Sequence, residues 1–351
     1  MNPIVVAIGG NALIKDGQEG NIYQQFANSR ETCDHIVKLV KMGYDLVLTH
    51  GNGPQVGNAL LRHERARDRI PPYPLGVCVA ETVGSMGYML QQTMQNTLKK
   101  EGIEKSSVCI ITQVLVDNSD PAFKRPTKPV GQFFTLEQIR PMREKDGWEV
   151  VEDAGRGWRR VVPSPIPKKI IETDMIRQML EQGHIVIAGG GGGLPVVVLE
   201  NGLLDGREAV VDKDYASSCL ASELGCERFV ILTGVSKVCI NYKKKDQKEL
   251  DTMTLSEAKR YLEECQFPQG SMGPKVQAAI DFIERGGKEV IITDIHLIDK
   301  AMKDQAGTHI FRAREDIVES VNIDTHSNFP RYELQPTNGR MQRHPKDRAF
   351  Q

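Results

Sequence analysis

An alternation constrains the fold most strongly. Short apolar runs recur at residues 4–8, 45–49, 108–112, 185–188, 229–233 and 289–293, and most are separated by stretches of helical periodicity. Such runs match strands buried on both faces, and intervening helices supply the crossovers that parallel strands need. The pattern therefore predicts an α/β chain built on a largely parallel sheet. Between Gln24 and Lys41, Phe26, Ile36, Val37, Leu39 and Val40 share one helical face, and Gly43 ends it. Pro54 stands where a helix takes its first residue, with Val56, Leu60 and Leu61 behind it. Another helix is expected from Lys168 onward, carrying Ile170, Ile171, Ile176, Met179 and Leu180 and ending at Gly183.

The alternation breaks between about Asn118 and Pro167, where Pro121, Pro126, Pro129, Pro141, Pro163 and Pro165 fall together with Trp148 and Trp158. An inserted lobe is expected there, with a hairpin near 149–162 that turns at Asp153–Gly157. Residues 316–351 hold few aliphatics after Val321 and read as a mobile or surface-wrapping extension. Lys+Arg number 45 against 46 Asp+Glu, so no overall positive charge argues for a nucleic-acid or membrane-surface partner. Seven scattered cysteines contain no C-x-x-C pair, as expected of reduced thiols in the cytoplasm, and no metal site is proposed. No apolar run approaches the roughly 18–20 residues of a membrane span.

Three glycine clusters follow expected strands: Gly9-Gly10-Asn11, Gly51-Asn52-Gly53 and Gly189 through Gly193. In an open parallel sheet ligands sit at the carboxyl ends of strands, and glycines there let backbone N–H groups approach an anion. One cluster alone reads as a tight turn; three in corresponding positions favour an anion site. Neither a P-loop nor a dinucleotide fingerprint is present, so the positive charge must come from elsewhere. Lys213 and Asp214 follow Ala209-Val210-Val211 and precede an expected helix, Tyr215–Leu224; Lys275 lies at another helix start after Gly273-Pro274; Lys128 sits in Pro126-Thr127-Lys128-Pro129 of the inserted lobe. Each reads equally as a phosphate ligand or as a solvated lysine, with Asp214 an orienting group or an ordinary helix cap.

The residues are also similar to a known family. The stretches IGGNAL (8–13), THGNGPQVG (49–57), TQVLVD (112–117), PTKPVG (126–131), DAGRGW (153–158), EAVVDKDYA (208–216) and GSMGPKV (270–276) resemble carbamate kinase, a branch of the amino-acid kinase superfamily. The resemblance runs in order over about residues 4–311. It implies a three-layer αβα sandwich around a mainly parallel sheet, with a small protruding subdomain near 118–165. The kinase domain would span 1–315, its nucleotide-binding half about 210–315, and 316–351 has no counterpart. It further implies a homodimer and reversible phosphoryl transfer in arginine and carbamoyl phosphate catabolism. Carbamoyl phosphate and ADP would give ATP and carbamate, with Mg²⁺ on the nucleotide phosphates.

Carried over by position, Gly9, Gly10, Asn11, Gly51, Asn52 and Gly53 are expected to bind carbamoyl phosphate or carbamate. Lys128 would reach in from the lobe, and Lys213 and Lys275 would flank the transferred group with Asp214 organising both. Lys213, Lys275, Val238, Tyr242 and Met272 are expected on the nucleotide side. Many superfamily relatives carry a lysine in the first glycine turn, which Val6–Gly10 lacks, and the resemblance implies that Lys213 replaces it. Phosphoryl transfer to or from an oxygen that is already anionic needs no general base, so His50 is expected to pack rather than react. Two rival readings make different demands on the sequence. Another carboxylate kinase of the superfamily, such as an acetylglutamate-type kinase, predicts the missing glycine-turn lysine. A catalytically silent nucleotide-sensing paralogue predicts loss of the charged residues, yet Lys128, Lys213, Asp214 and Lys275 are all present.

Overall fold

The first strand, Pro3–Ile8, shows why the architecture has three layers: its successive side chains are buried on opposite faces of one sheet. Ile4, Val6 and Ile8 join one apolar core, while Val5 and Ala7 join another. A computed structural model describes residues 1–10, 13–15, 17–152, 157–268 and 270–313. Its central sheet has eight strands in the spatial order 252–254, 308–311, 289–294, 228–233, 3–8, 45–50, 185–187 and 107–109. Neighbours run parallel except 289–294 with 308–311.

One core lies under helices α1 (Ile22–Lys41) and α3 (Leu75–Lys100), through residues such as Ile36, Leu39, Leu90 and Met94. Between them comes α2 (Gly53–Arg65), with Pro54 in its first turn as expected. Asn21 caps α1: its side chain accepts the Gln24 N–H, and the Gln24 side chain accepts the Asn21 N–H. The lobe carries α4 (Leu136–Lys145) and an antiparallel sheet of Lys128–Phe134, Trp158–Val162 and Val150–Glu152. The hairpin expected near 149–162 is therefore present, although Asp153–Arg156 of its turn lie outside the described residues. Phe134, Ile139 and Trp148 form the lobe's own small core.

The opposite face is covered by α5 (Thr173–Glu181), α6 (Lys213–Leu224), α7 (Leu255–Glu263) and α8 (Met272–Glu284). Three expectations need correction. Residues 167–170 form a strand paired with 113–116, and the helix starts only at Thr173. The prolines just before, Pro163, Pro165 and Pro167, hold the backbone extended, and a period of 3.6 does not distinguish so short a stretch from a strand. Of the run 108–112, only 108–109 lie in a strand, the edge strand Ser107–Cys109; 110–112 lead to a second sheet whose strand begins at Gln113. Helix α6 begins two residues earlier than Tyr215, because Asp212 rather than Asp214 is its cap. The described residues contain no helix long and apolar enough to cross a membrane. All seven cysteines are free thiols, and the extension 316–351 lies outside the described residues.

Candidate phosphoryl-transfer site

Strands 3–8 and 45–50 end side by side, and their glycine turns face the start of α6. A Cβ on Gly9 would lie 2.8 Å from the carbonyl oxygen of Leu232, so glycine is required there by close packing of two strand ends. A Cβ on Gly51 would lie 3.1 Å from Cδ of Lys213, so the lysine stem runs across this turn. Gly10 and Gly53 have open space where a Cβ would be. Asn52 is buried as the residue before α2, and its Nδ2 donates to Thr82 Oγ1 at 2.8 Å. Asn11 lies outside the described residues.

The charged groups converge. The Lys213 ammonium lies 2.5 Å from Asp214 Oδ1, and the Lys275 ammonium 2.9 Å from Asp214 Oδ2. One buried carboxylate thus holds two cations from residues 62 positions apart in sequence, each in the first turn of its helix, α6 or α8. Burial opposes the charge of Asp214, but Lys213 and Lys275 outweigh it and hold the carboxyl well below the usual carboxylate range. Burial, with the repulsion of Lys275, lowers the pKa of Lys213. Burial also opposes the charge of Lys275, but Asp214 prevails and raises its pKa. The third lysine, Lys128, reaches from the lobe and pairs with Asp212, the cap of α6. Three ammonium groups and two carboxylates therefore surround the start of one helix, leaving one positive charge in excess. A helix N-terminus adds partial positive charge in the same place. Such an arrangement is suited to an anion of phosphate type.

The profile of the amino acid kinase family matches residues 2–294. The chain belongs to the amino acid kinase family. It is 48% identical over 316 residues to the carbamate kinase of Thermococcus kodakarensis, a match that spans 89% of this chain and 100% of that protein. Carbamate kinase from Giardia lamblia bound to citric acid superposes with a TM-score of 0.85 at 40% identity. The Giardia lamblia enzyme bound to AMP-PNP does so at 0.82 and 42%, and each comparison covers 89% of this chain and 99% of the other. The sheet, its covering helices and the lobe are accordingly the amino-acid kinase fold.

Other expected site residues are less gathered. Within this amino acid kinase, Val238 is fully buried in the core and donates its N–H to Thr308 Oγ1 at 2.8 Å. Tyr242 is exposed, with the Lys243 ammonium 5.5 Å from its ring centroid. Met272 opens α8, three residues before Lys275, and packs on the core. The five glycines 189–193 are all buried and do not line an open anion turn. A Cβ on Gly190 would lie 2.5 Å from His50 Nε2, on Gly191 2.3 Å from Asn52 Nδ2, and on Gly192 2.2 Å from the Val211 carbonyl oxygen. The cluster buttresses the second turn from behind, a role that composition alone does not distinguish from phosphate binding.

His50 is fully buried, its Nδ1 lies 3.2 Å from the Gly51 carbonyl oxygen, and burial lowers its pKa to about 4. Sequence reasoning passed over Asp212. Its signal was the D-K-D triplet at an expected helix start, where the first aspartate is the better placed cap.

Proposed function

We propose that this chain is a carbamate kinase, transferring a phosphoryl group reversibly between carbamoyl phosphate and ADP. The observation that carries the reading is the seating of the Lys213 and Lys275 ammonium groups on the two oxygens of Asp214, beside the glycine turns 9–10 and 51–53. In the ATP-forming direction, the bond between phosphorus and the carbamate oxygen breaks and carbamate leaves with the electron pair. A terminal oxygen of ADP forms the new bond to phosphorus. No proton changes place, so the protein's task is to position the reactants and neutralise charge.

Lys213 and Lys275 stabilise the negative charge on the migrating group, and Asp214 holds them apart at fixed separation. Lys128 binds the carbamoyl phosphate end, and the open faces of Gly10 and Gly53 admit its oxygens to the backbone. Mg²⁺ fits as a companion of the nucleotide: Asp212 and Asp214 are both taken by lysines, so phosphate oxygens rather than these carboxylates would hold it. It would neutralise phosphate charge there. We further infer a cytoplasmic homodimer that acts in arginine and carbamoyl phosphate breakdown, with Met272 and Tyr242 toward the nucleotide.

The test is ATP formation by the purified chain from ADP, Mg²⁺ and carbamoyl phosphate, with N-acetylglutamate as the alternative substrate in the reverse direction. Turnover with carbamoyl phosphate and carbamate alone is expected. Phosphorylation of N-acetylglutamate, or ADP binding without ATP formation, would overturn the reading.

A further inference from the structure

The lobe and the helix that carries Lys213 share one carboxylate. Asp212 is buried, and its two oxygens take different partners: Oδ1 accepts the Asp214 N–H at 2.9 Å as the cap of α6, and Oδ2 accepts from the Lys128 ammonium. The strand that bears Lys128 is seated independently. Val130 is buried with Val56, Leu60, Val79 and Val210, and Gly131 lies so close to α2 that a Cβ on Gly57 would fall 1.8 Å from its Cα. Lys128 pairs in the lobe sheet with Val162, and the next residue, Pro163, accepts the N–H of Val210 at 2.9 Å. Segment 210–212 is thus bonded to Lys128 of one lobe strand and to Pro163, just past its neighbour, immediately before α6 begins.

A lysine stem is flexible, and its ammonium has three donors. Asp212 engages that ammonium and leaves further donors free. Resting on the carbamate kinase reading, we propose that Asp212 is a positioning residue for phosphoryl transfer: it fixes the Lys128 ammonium at the start of α6, with its remaining N–H groups free for the anionic oxygens of carbamoyl phosphate. The same side chain fixes the backbone that presents Lys213 and Asp214, so lobe and helix are set by one group.

Asn and Ser cap helices about as well as Asp, and neither carries charge. Asp212→Asn therefore separates capping from the ion pair, and Asp212→Ser serves as a second variant should the first fail to fold. The assay is steady-state ATP formation from carbamoyl phosphate and ADP. Expected for Asp212→Asn is a roughly ten-fold rise in KM for carbamoyl phosphate, the scale of one charge-assisted hydrogen bond, with KM for ADP within about two-fold of wild type. Lys128→Ala should show the same split, and the double variant Asp212→Asn/Lys128→Ala should be no worse than Lys128→Ala alone. A residue acting independently of Lys128 would give losses that multiply in the double variant. That result, or a wild-type KM for carbamoyl phosphate in both Asp212 variants, overturns the proposal while the carbamate kinase reading stands. No ATP formation by the wild-type chain overturns both.

Discussion

At the residue scale, the site works through a few charges whose positions are set by burial. Removing a preorganised donor from a developing anion costs about 10²–10³ in kcat. Losses of that order are expected for Lys213→Ala and Lys275→Ala, measured by ATP formation alongside circular dichroism to show an intact fold. Asp214→Asn should fall as steeply, since both ammonium groups would then lose the charge that holds them 2.5 and 2.9 Å from its oxygens. His50 makes a different prediction. Burial lowers its pKa to about 4, so the unfolded chain takes up the proton first as pH falls. Stability contributed by the neutral ring is complete above about pH 6.5 and is lost as pH drops toward 4, by up to about 3 kcal/mol. His309 runs the other way, its pKa raised chiefly by its hydrogen bond to Glu289, and its contribution fades as pH rises. Comparing urea unfolding of wild type and His50→Gln between pH 4 and 7 isolates the His50 share, and the loss of stability toward pH 4 should be smaller in the variant. The charged residues of the site were legible in the sequence as lysines beside helix starts. Their convergence on Asp214 was expected only through the family resemblance, because 62 positions separate Lys213 from Lys275 and the packing of α6 against α8 is what brings them together.

At the scale of elements, the lobe is held on α2 by backbone contact as much as by side chains. Trp148 Nε1 donates to Glu64 Oε1 at 2.9 Å, and Arg160 reaches the same oxygen at 3.0 Å. The lobe strand that carries Lys128 also crosses α2 where Gly57 meets Gly131. Gly57→Ala must push the lobe strand away and is expected to destabilise by about 1–3 kcal/mol, measured by urea unfolding, and to raise KM for carbamoyl phosphate through displacement of Lys128. An unchanged KM would mean that the lobe's seat does not govern Lys128. The elements that periodicity predicted well were those with a cap or breaker in place, such as α1 with Asn21 and Gly43, and α2 with Pro54. The misread ones carried punctuation that admits two readings, such as two aspartates at the start of α6 and prolines ahead of 167–170. In 167–171 an apolar pattern suits helix and strand alike, and pairing with 113–116 decides between them.

For the molecule as a whole, the family profile matches residues 2–294, and 89% of the chain accounts for the whole length of the Thermococcus kodakarensis relative. A chain ending at Ala313 is therefore expected to retain ATP formation within about two-fold and the thermal midpoint within a few degrees, checked by the coupled assay and calorimetry. Loss of either would assign residues beyond it a part in the fold or the reaction. Sedimentation equilibrium should return twice the mass of the chain if the inferred dimer forms. The class of fold was set by the sequence alone, since short runs buried on both faces, separated by amphipathic helices and ended by glycine, have few ways to exclude water. Local features such as capped helices, glycine turns and the proline-rich lobe were likewise written there, because they depend on neighbours a few residues apart. What only the tertiary structure decided is that Lys128 pairs with the cap of α6, which glycines face open space, and which merely let buried surfaces meet. Those depend on distances between residues remote in the chain, and a linear order of side chains does not contain them until the sheet brings its strand ends together.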